Sequence, residues 1–435
     1  MVAPARVNAP EEHVASAYAA SVGVLPERPQ LQGEMTADIC VIGGGYSGLS
    51  TAISLLEKGH QVIVLEGARI GWGASGRNGG QVVNGFNAGL DTITRRYGDD
   101  TAAFFGRHLQ EGGKIIRQRI EKYGIDCDLK EKNLYTAFTK KHLLELEAKQ
   151  ALWRRHGMDD HEMFDRASIR QHVGSDAYLG GMIDHSGAHL HPLKLALGEA
   201  AAVESLGGRI FEQSRVVSVD YSGPQPVAKT AAGQVRCKNL VICGNAYLGK
   251  AVPALLPRIL PVSTQVLATE PLSDEQARDI LPTDVCVEDC RYILDYFRLS
   301  ADNRLIFGGG VLYGGRDAKD IAARIRPNML KIFPQLKNVR IDYTWNGNFA
   351  LSFSRVPQLG QLSNHTWFAH GYSGHGVTGS HFYGKVLADA IHGDLTQYNV
   401  LAGLPWLPFP GGRLFGAQYS AIGSFYYNLR DKLGF

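Results

Sequence analysis

Ile39-Cys40-Val41-Ile42-Gly43-Gly44-Gly45-Tyr46-Ser47-Gly48, followed by Val62-Ile63-Val64-Leu65-Glu66, is the stretch on which the fold turns. A short apolar run enters a glycine cluster, as a buried parallel strand enters a tight turn. From Ser47 to Lys58 the apolar residues Leu49, Ala52, Ile53 and Leu56 recur at helical spacing, and Gly59 stands where a helix stops. A second apolar run, Gln61 to Glu66, follows at once, so the segment predicts a β-α-β unit.

Within that unit Gly43, Gly45 and Gly48 satisfy G-x-G-x-x-G, the dinucleotide fingerprint. Gly43 permits the turn, Gly45 lets a pyrophosphate approach the backbone, and Gly48 lets helix and strand pack closely. The helix start then directs free N–H groups and the positive dipole end at the phosphates. Glu66, at the end of the second strand, is placed to accept hydrogen bonds from both ribose hydroxyls, which disfavours a 2′-phosphate and so NADP. The fingerprint by itself does not separate NAD from FAD.

The chain of 435 residues has room for two domains, and its 44% hydrophobic and 20% charged content is that of an ordinary globular protein. A net charge of +3 without charged blocks gives no support to a nucleic-acid partner. No apolar run reaches the ~20 residues of a membrane span, no signal segment opens the chain, and six scattered cysteines read as reduced thiols, so a cytoplasmic protein is expected. Helical stretches at 99–124 and 141–156 interrupt the nucleotide unit, a helix at 191–207 leads to strands at 209–212 and 216–220, and 235–243 reads as a strand. A β-rich region follows, with strands at 264–270, 292–300, 304–307 and 339–345. The expected architecture is α/β: a Rossmann-like domain from 34–98, 190–248 and 344–435, a discontinuous α+β substrate domain from 99–189 and 249–343 with a large mixed or antiparallel sheet, and an extension at 1–33.

After Glu66 comes a loop too long for a plain turn, Gly67-Ala68-Arg69-Ile70-Gly71-Trp72-Gly73-Ala74-Ser75-Gly76-Arg77-Asn78-Gly79-Gly80-Gln81. Further segments are Ser214-Arg215-Val216, Val241-Ile242-Cys243-Gly244-Asn245-Ala246-Tyr247, Trp345-Asn346-Gly347-Asn348-Phe349-Ala350 with Ser354-Arg355-Val356-Pro357-Gln358-Leu359-Gly360, and His370-Gly371-Tyr372-Ser373-Gly374-His375-Gly376-Val377. With these the sequence resembles the D-amino-acid-oxidase-like FAD superfamily, and within it the γ-glutamylputrescine oxidoreductase branch. The resemblance runs from about Glu34 to the carboxyl end, with Cys243 for the usual alanine and Tyr247 for the usual tryptophan. It implies FAD, held without a covalent bond. It implies cofactor contacts from Gly43, Gly45, Tyr46, Ser47, Gly48 and Glu66; from Gly67, Ala74, Ser75, Arg77, Asn78, Gly79, Gly80 and Gln81; from Val216, Cys243, Gly244, Tyr247 and Gly347; and from Gly371, Tyr372, Ser373, Gly374, His375, Gly376 and Val377, where a helix opens at the flavin.

The resemblance further implies an oxidoreductase acting on the C–N bond of a small amine, giving imine, then aldehyde and ammonia, with oxygen or another acceptor downstream. Where glycine oxidase looks to place an arginine for the substrate carboxylate, this chain has Phe349, so a polyamine derivative is expected over a small amino acid. Tyr292 and Tyr296 on one strand face, with Phe349, Tyr372 and His375, are expected to line an aromatic pocket, and Arg77 or Arg298 to meet a distal anion. An amino-acid or secondary-amine oxidase, and a flavin-bearing subunit without chemistry of its own, are the other readings. His185, His189 and His191 are read as loop or solvent-facing histidines, so no metal is expected; Cys286 and Cys290 could share a helix turn; the apolar stripe between Arg413 and Phe435 is expected to dock on its own domain or on a partner subunit, with monomer and dimer both open.

Overall fold

In the computed structural model, which describes residues 11–315 and 318–409, the opening strand is Gly33–Ile42 and it lies at the centre of a sheet. Parallel to it on either side run Val62–Leu65 and Gly233–Ile242, with Arg209–Phe211 and Thr366–His370 beyond. Gln358–Ser363 closes one edge antiparallel, and Val227–Lys229 and Ser218–Asp220 hang from the long strand. Ile42, Leu65, Ile242 and Phe368 stand in register. Phe211 is level with Leu65, so four strands finish in step while Thr366–His370 runs on by two residues, and the turns that follow all five meet at one carboxyl edge, where open α/β sheets bind ligands.

The helix Tyr46–Leu56 is buried at every position, as its small and apolar residues dictate. Gly43 has φ +109°, which a residue with a side chain adopts only under strain, and a Cβ at Gly48 would collide with the Gly43 carbonyl. Both glycines perform the steric duties expected of them.

The second sheet has the strand order Ile341–Ser352, Ile259–Thr269, Leu305–Tyr313, Tyr296–Leu299, Cys286–Asp289, Lys130–Ala137, Gly180–His189, Gln81–Val82, with His161–Asp165 paired to Gly180–His189. All its pairings are antiparallel except Cys286–Asp289 with Lys130–Ala137, so it is the large mixed sheet expected. The strand Ile341–Ser352 belongs to it wholly, so the chain crosses to the first sheet after Ser352 rather than near 344, and Gln81–Val82 lends the larger sheet an edge from inside 34–98.

Several elements differ from their sequence reading. The helical stretch 99–124 breaks into Asp99–Arg107 and Glu111–Tyr123, and the strand expected at 216–220 forms only at Ser218–Asp220. The strand expected at 292–300 begins at Tyr296, because the Asp289 carboxylate accepts hydrogen bonds from the backbone N–H of Arg291 and of Asp295 and folds the intervening residues into a loop. Cys286 is on a strand and Cys290 follows it, so they share no helix turn, and all six thiols are free. His189 and His191 are buried, not solvent-facing: His189 Nε2 lies 2.8 Å from the Asp284 carbonyl, and His191 caps the helix Pro192–Ser205.

The described part of the extension is anchored. Its helix Ala17–Ser21 buries Tyr18 against Trp345 and His191. Upstream, Glu11 pairs with Arg215, Glu12 with Arg69, and the Glu12 carbonyl accepts the Trp72 indole N–H. The stripe between Arg413 and Phe435 lies outside the described residues. Among those described, no helix is long and apolar enough to cross a membrane, and no group of three or more His, Cys, Asp or Glu is arranged to hold a metal.

Candidate functional site

The carboxyl edge of the first sheet opens into a crevice of about 180 Å³. Of the residues expected at a cofactor, Gly43, Gly45, Tyr46, Ser47, Glu66, Gly67, Ala74, Ser75, Asn78, Val216, Cys243, Gly244, Tyr247, Tyr372, Gly374, Gly376 and Val377 line it. They come from five separate segments, one after each parallel strand, brought together by the register of those strands. Two helices present their amino ends here, Tyr46–Leu56 and Gly376–His392, and neither has a side-chain cap of its own. Their first-turn N–H groups and positive dipole ends suit an anion.

Glu66 is the carboxylate of the crevice. One oxygen accepts the Gly44 N–H at 2.6 Å and the other the Ala68 N–H at 2.9 Å. Burial raises its pKa above the ordinary value, against the pull of those two amides. Each oxygen retains a lone pair, enough for a pair of hydroxyls. Ser75 Oγ accepts the Tyr46 N–H at 2.9 Å and so pins the glycine-rich loop to the fingerprint helix. Across the crevice Ser47 Oγ and the Tyr372 hydroxyl are 2.6 Å apart, joining residues distant in sequence. Burial drives the Tyr372 phenol up and the Cys243 thiol to about 11, so both are neutral at physiological pH.

Ala74, Asn78, Phe349, Gly374 and Val377 are shared with a second, larger cavity of about 710 Å³. Arg77, Gly79, Gln81, Gly347, Ser373 and His375 line this second space, as do Tyr292, Tyr296 and Phe349. The expected aromatic wall therefore exists, but Tyr292 reaches it from the loop after Asp289 and not from the strand face of Tyr296. Tyr372 belongs to the crevice instead. Gly48, Gly80 and Gly371 line neither space and act through the backbone: the Gly80 N–H binds Asn78 Oδ1 at 2.8 Å, and the Gly371 N–H binds Asn245 Oδ1 at 3.1 Å. His375 ends the turn before the helix, which starts at Gly376, and burial lowers its pKa to about 4, with the charge of Lys149 helping, so its ring is neutral at working pH.

Arg298 is a correction. It is buried and outside the cavity, with Nε donating to the Gly79 carbonyl at 2.6 Å, Nη1 to the Leu299 carbonyl at 3.0 Å and Nη2 to the Tyr18 hydroxyl at 3.1 Å. A guanidinium so engaged holds the glycine-rich loop and the amino-terminal helix to the large sheet and is not offered to a ligand. Arg77 lines the cavity, but its Nε donates to the Trp72 carbonyl at 2.6 Å and its charge lies 4.3 Å from the centre of the Trp72 ring.

Other lining residues went unread in the sequence. In the crevice these include Trp72, Arg215 and Asn245, which stand inside or beside the motifs; in the cavity they include Arg96, Phe138, Glu288, Arg291 and Tyr313, for which local pattern gives no signal. Glu288 stands directly across from Tyr296 in the strand ladder. Burial pushes its pKa to about 7; Lys149 pulls it down while Asp289 and Asp184 push it further up. The Lys149 ammonium rests 3.6 Å from the centre of the Tyr135 ring.

The fold and site define a class, the flavin-dependent oxidoreductases built from a dinucleotide-binding sheet and a second large sheet. The family model for FAD dependent oxidoreductases matches residues 38–390, and the chain belongs to that family and takes FAD as its cofactor. Among curated proteins it is 49% identical over 424 residues to γ-glutamylputrescine oxidoreductase of Escherichia coli, spanning 97% of this chain and 99% of that one. Solved structures of the same fold include glycine oxidase from Bacillus cereus (TM-score 0.69, 20% identity, 84% of this chain and 97% of that one) and L-proline dehydrogenase from P. horikoshii (TM-score 0.68, 21% identity, 84% and 94%).

The residues present fit such a group. Two uncapped helix amino ends suit a diphosphate, Glu66 keeps lone pairs for a ribose, and the crevice runs into a cavity walled by aromatic rings.

Proposed function

We propose that this enzyme oxidises the primary amine of γ-glutamylputrescine or a closely similar polyamine derivative. The reading is carried by the near full-length 49% identity to a relative named for that compound. The cavity of about 710 Å³ beside the cofactor crevice supports it. In the proposed arrangement the fingerprint amides of Tyr46–Leu56 hold the diphosphate, Glu66 the adenosine ribose, and the turn 371–377 with its helix faces the flavin pyrimidine edge, without a covalent bond to the chain. Bound FAD supplies the two-electron acceptor for a hydride leaving the carbon next to the amine; water then converts the imine to aldehyde and ammonia.

The chain's own task is to orient the amine and to exclude water. Tyr296, Phe349 and Tyr313 provide an apolar enclosure for an aliphatic chain. Glu288 provides a negative charge for the arriving ammonium. Phe349, standing where an arginine would serve a small amino acid, leaves that carboxylate unanswered. The free thiols suit a reducing compartment such as the cytoplasm.

Anaerobic mixing of the yellow holoenzyme with γ-glutamylputrescine, putrescine and glycine, followed by flavin absorbance, tests the reading. Bleaching by γ-glutamylputrescine at least tenfold faster than by putrescine, and no bleaching by glycine, is expected. Fastest bleaching by glycine overturns the proposal.

A further inference from the structure

The cations around the larger cavity are not equivalent. Arg291 is neutralised by Asp289 and Asp295, at 2.5 and 2.6 Å. Arg77 is fastened to the Trp72 carbonyl and ring, and Arg298 lies outside the cavity altogether. Arg96, Arg355 and Lys141 remain, all lining the cavity and none in an ion pair among the described residues, and of these the two guanidiniums lie side by side. Arg96 Nη1 donates to the Ser354 carbonyl at 3.0 Å, which brings it beside Arg355. Arg355 Nη2 lies 3.5 Å from the Tyr292 hydroxyl.

Arg355 also has φ +64°. A side-chain-bearing residue in the left-handed region costs about 1 kcal/mol or more, and glycine or asparagine would stand there at less cost. The strained turn joins the last strand of the large sheet to the first sheet and is tied by a hydrogen bond from the Arg355 N–H to the Ser352 carbonyl at 3.3 Å. Tyr292 is 45% exposed, so this corner is the mouth of the cavity, whereas Glu288 is in its wall. The space thus has a carboxylate, Glu288, in its aromatic wall and two adjacent guanidiniums at this entrance, with Lys141 and Glu145 also among its lining residues.

We propose that Arg355, with Arg96 and the Tyr292 hydroxyl, forms a carboxylate-binding subsite at the cavity mouth, which takes the far end of a long ligand. A planar guanidinium matches a carboxylate with two parallel N–H bonds, and a second one beside it, with a phenol, fixes the orientation. The reading of an amine as substrate sets which end of the ligand goes to the flavin; the subsite itself rests on the mouth geometry.

The test is equilibrium binding to the holoenzyme, read from the flavin spectrum, with two ligands that have no amine to oxidise. N-butylglutaramate carries a terminal carboxylate; N-butylpentanamide carries a methyl in its place. Wild type is expected to bind the glutaramate the more tightly. Arg355→Gln is expected to weaken the glutaramate by about tenfold or more, in line with loss of a charge-assisted bond, and the neutral amide by less than about twofold. Arg96→Gln gives a smaller loss with the same selectivity, and Arg355→Lys, which keeps the charge and loses the fork, falls between. Equal weakening of both ligands, or no weakening of the glutaramate by any of the three variants, overturns the subsite. If wild type bleaches with no γ-glutamylputrescine yet binds the glutaramate in an Arg355-dependent way, the substrate reading fails and the subsite stands.

Discussion

At the scale of single residues the informative group is Glu288. Its side chain lines the cavity beside Tyr296, and the charges that face it are Lys149 from the helix Lys140–Arg154, Asp184 from Gly180–His189, two strands away in the sheet, and Asp289 from its own strand. With a pKa near 7 it is largely neutral below that pH and anionic above it. If the anion holds the substrate ammonium, kcat/KM rises with pH through about 7, and Glu288→Gln removes that rise while lowering kcat/KM at pH 8 by roughly tenfold. An unchanged limb near pH 7 in the variant assigns it to another group; His375 is not a candidate, since its pKa of about 4 puts its titration well below. Nothing around Cys286-Val287-Glu288-Asp289 marks this acid in the sequence, because its neighbours come from residues far away along the chain. The fingerprint residues were legible for the opposite reason, since turn, helix start and acid follow one another within a single β-α-β unit.

Between elements, the fingerprint helix is held by a buried ionic cluster. Arg119 on Glu111–Tyr123 pairs with Glu199 on Pro192–Ser205 at 3.1 Å, and it donates to the Ser50 carbonyl and to Ser54 Oγ on Tyr46–Leu56, both at 3.0 Å. His381 on Gly376–His392 reaches the same Glu199 oxygen at 2.9 Å. One carboxylate thus joins the two helices whose ends open on the crevice to two that back them. Burial pushes Glu199 upward, but His381 and Arg119 outweigh it and hold the carboxylate below its ordinary pKa. Glu199→Gln leaves a buried guanidinium without its counter-charge, and a loss of about 3–5 kcal/mol in urea unfolding at pH 7 is expected. A loss under about 1 kcal/mol contradicts this account of how the helices are joined.

For the molecule as a whole, acid is the test. Burial lowers the pKa of His189, His191 and His370 from 6.5 to about 3, with Arg298 adding to the first two and Arg258 to the third. The unfolded chain therefore takes up protons below about pH 6.5 that the fold refuses, and the stability these rings contribute is full above that pH and lost as pH falls toward 3. Glu288 and Asp295 act the other way, since burial raises them from 4.5 to about 7 and from 3.8 to about 6 in the fold. His375 and His13, each lowered to about 4, act with the three histidines, so the lowered histidines outnumber these two acids and the unfolded state binds the more protons through this range. The urea midpoint is expected to fall between pH 7 and pH 5; a midpoint that rises shows that the acids dominate.

Local physics determined the nucleotide unit, the large sheet's existence and most of the motifs at the cofactor crevice, because helical and strand periodicities, glycine turns and a helix start are properties of neighbours in sequence. Tertiary structure alone decided that Arg298 is a fastener, that Tyr292 leaves its strand, that Glu288 enters the cavity wall, and that Arg96 and Arg355 share its mouth. Those outcomes depend on which carbonyl or carboxylate each charge meets, and the partners come from distant segments: Gly79 and Tyr18 for Arg298, Ser354 for Arg96. A sequence pattern records what a residue is able to pair with, whereas folding sets which partner is within reach.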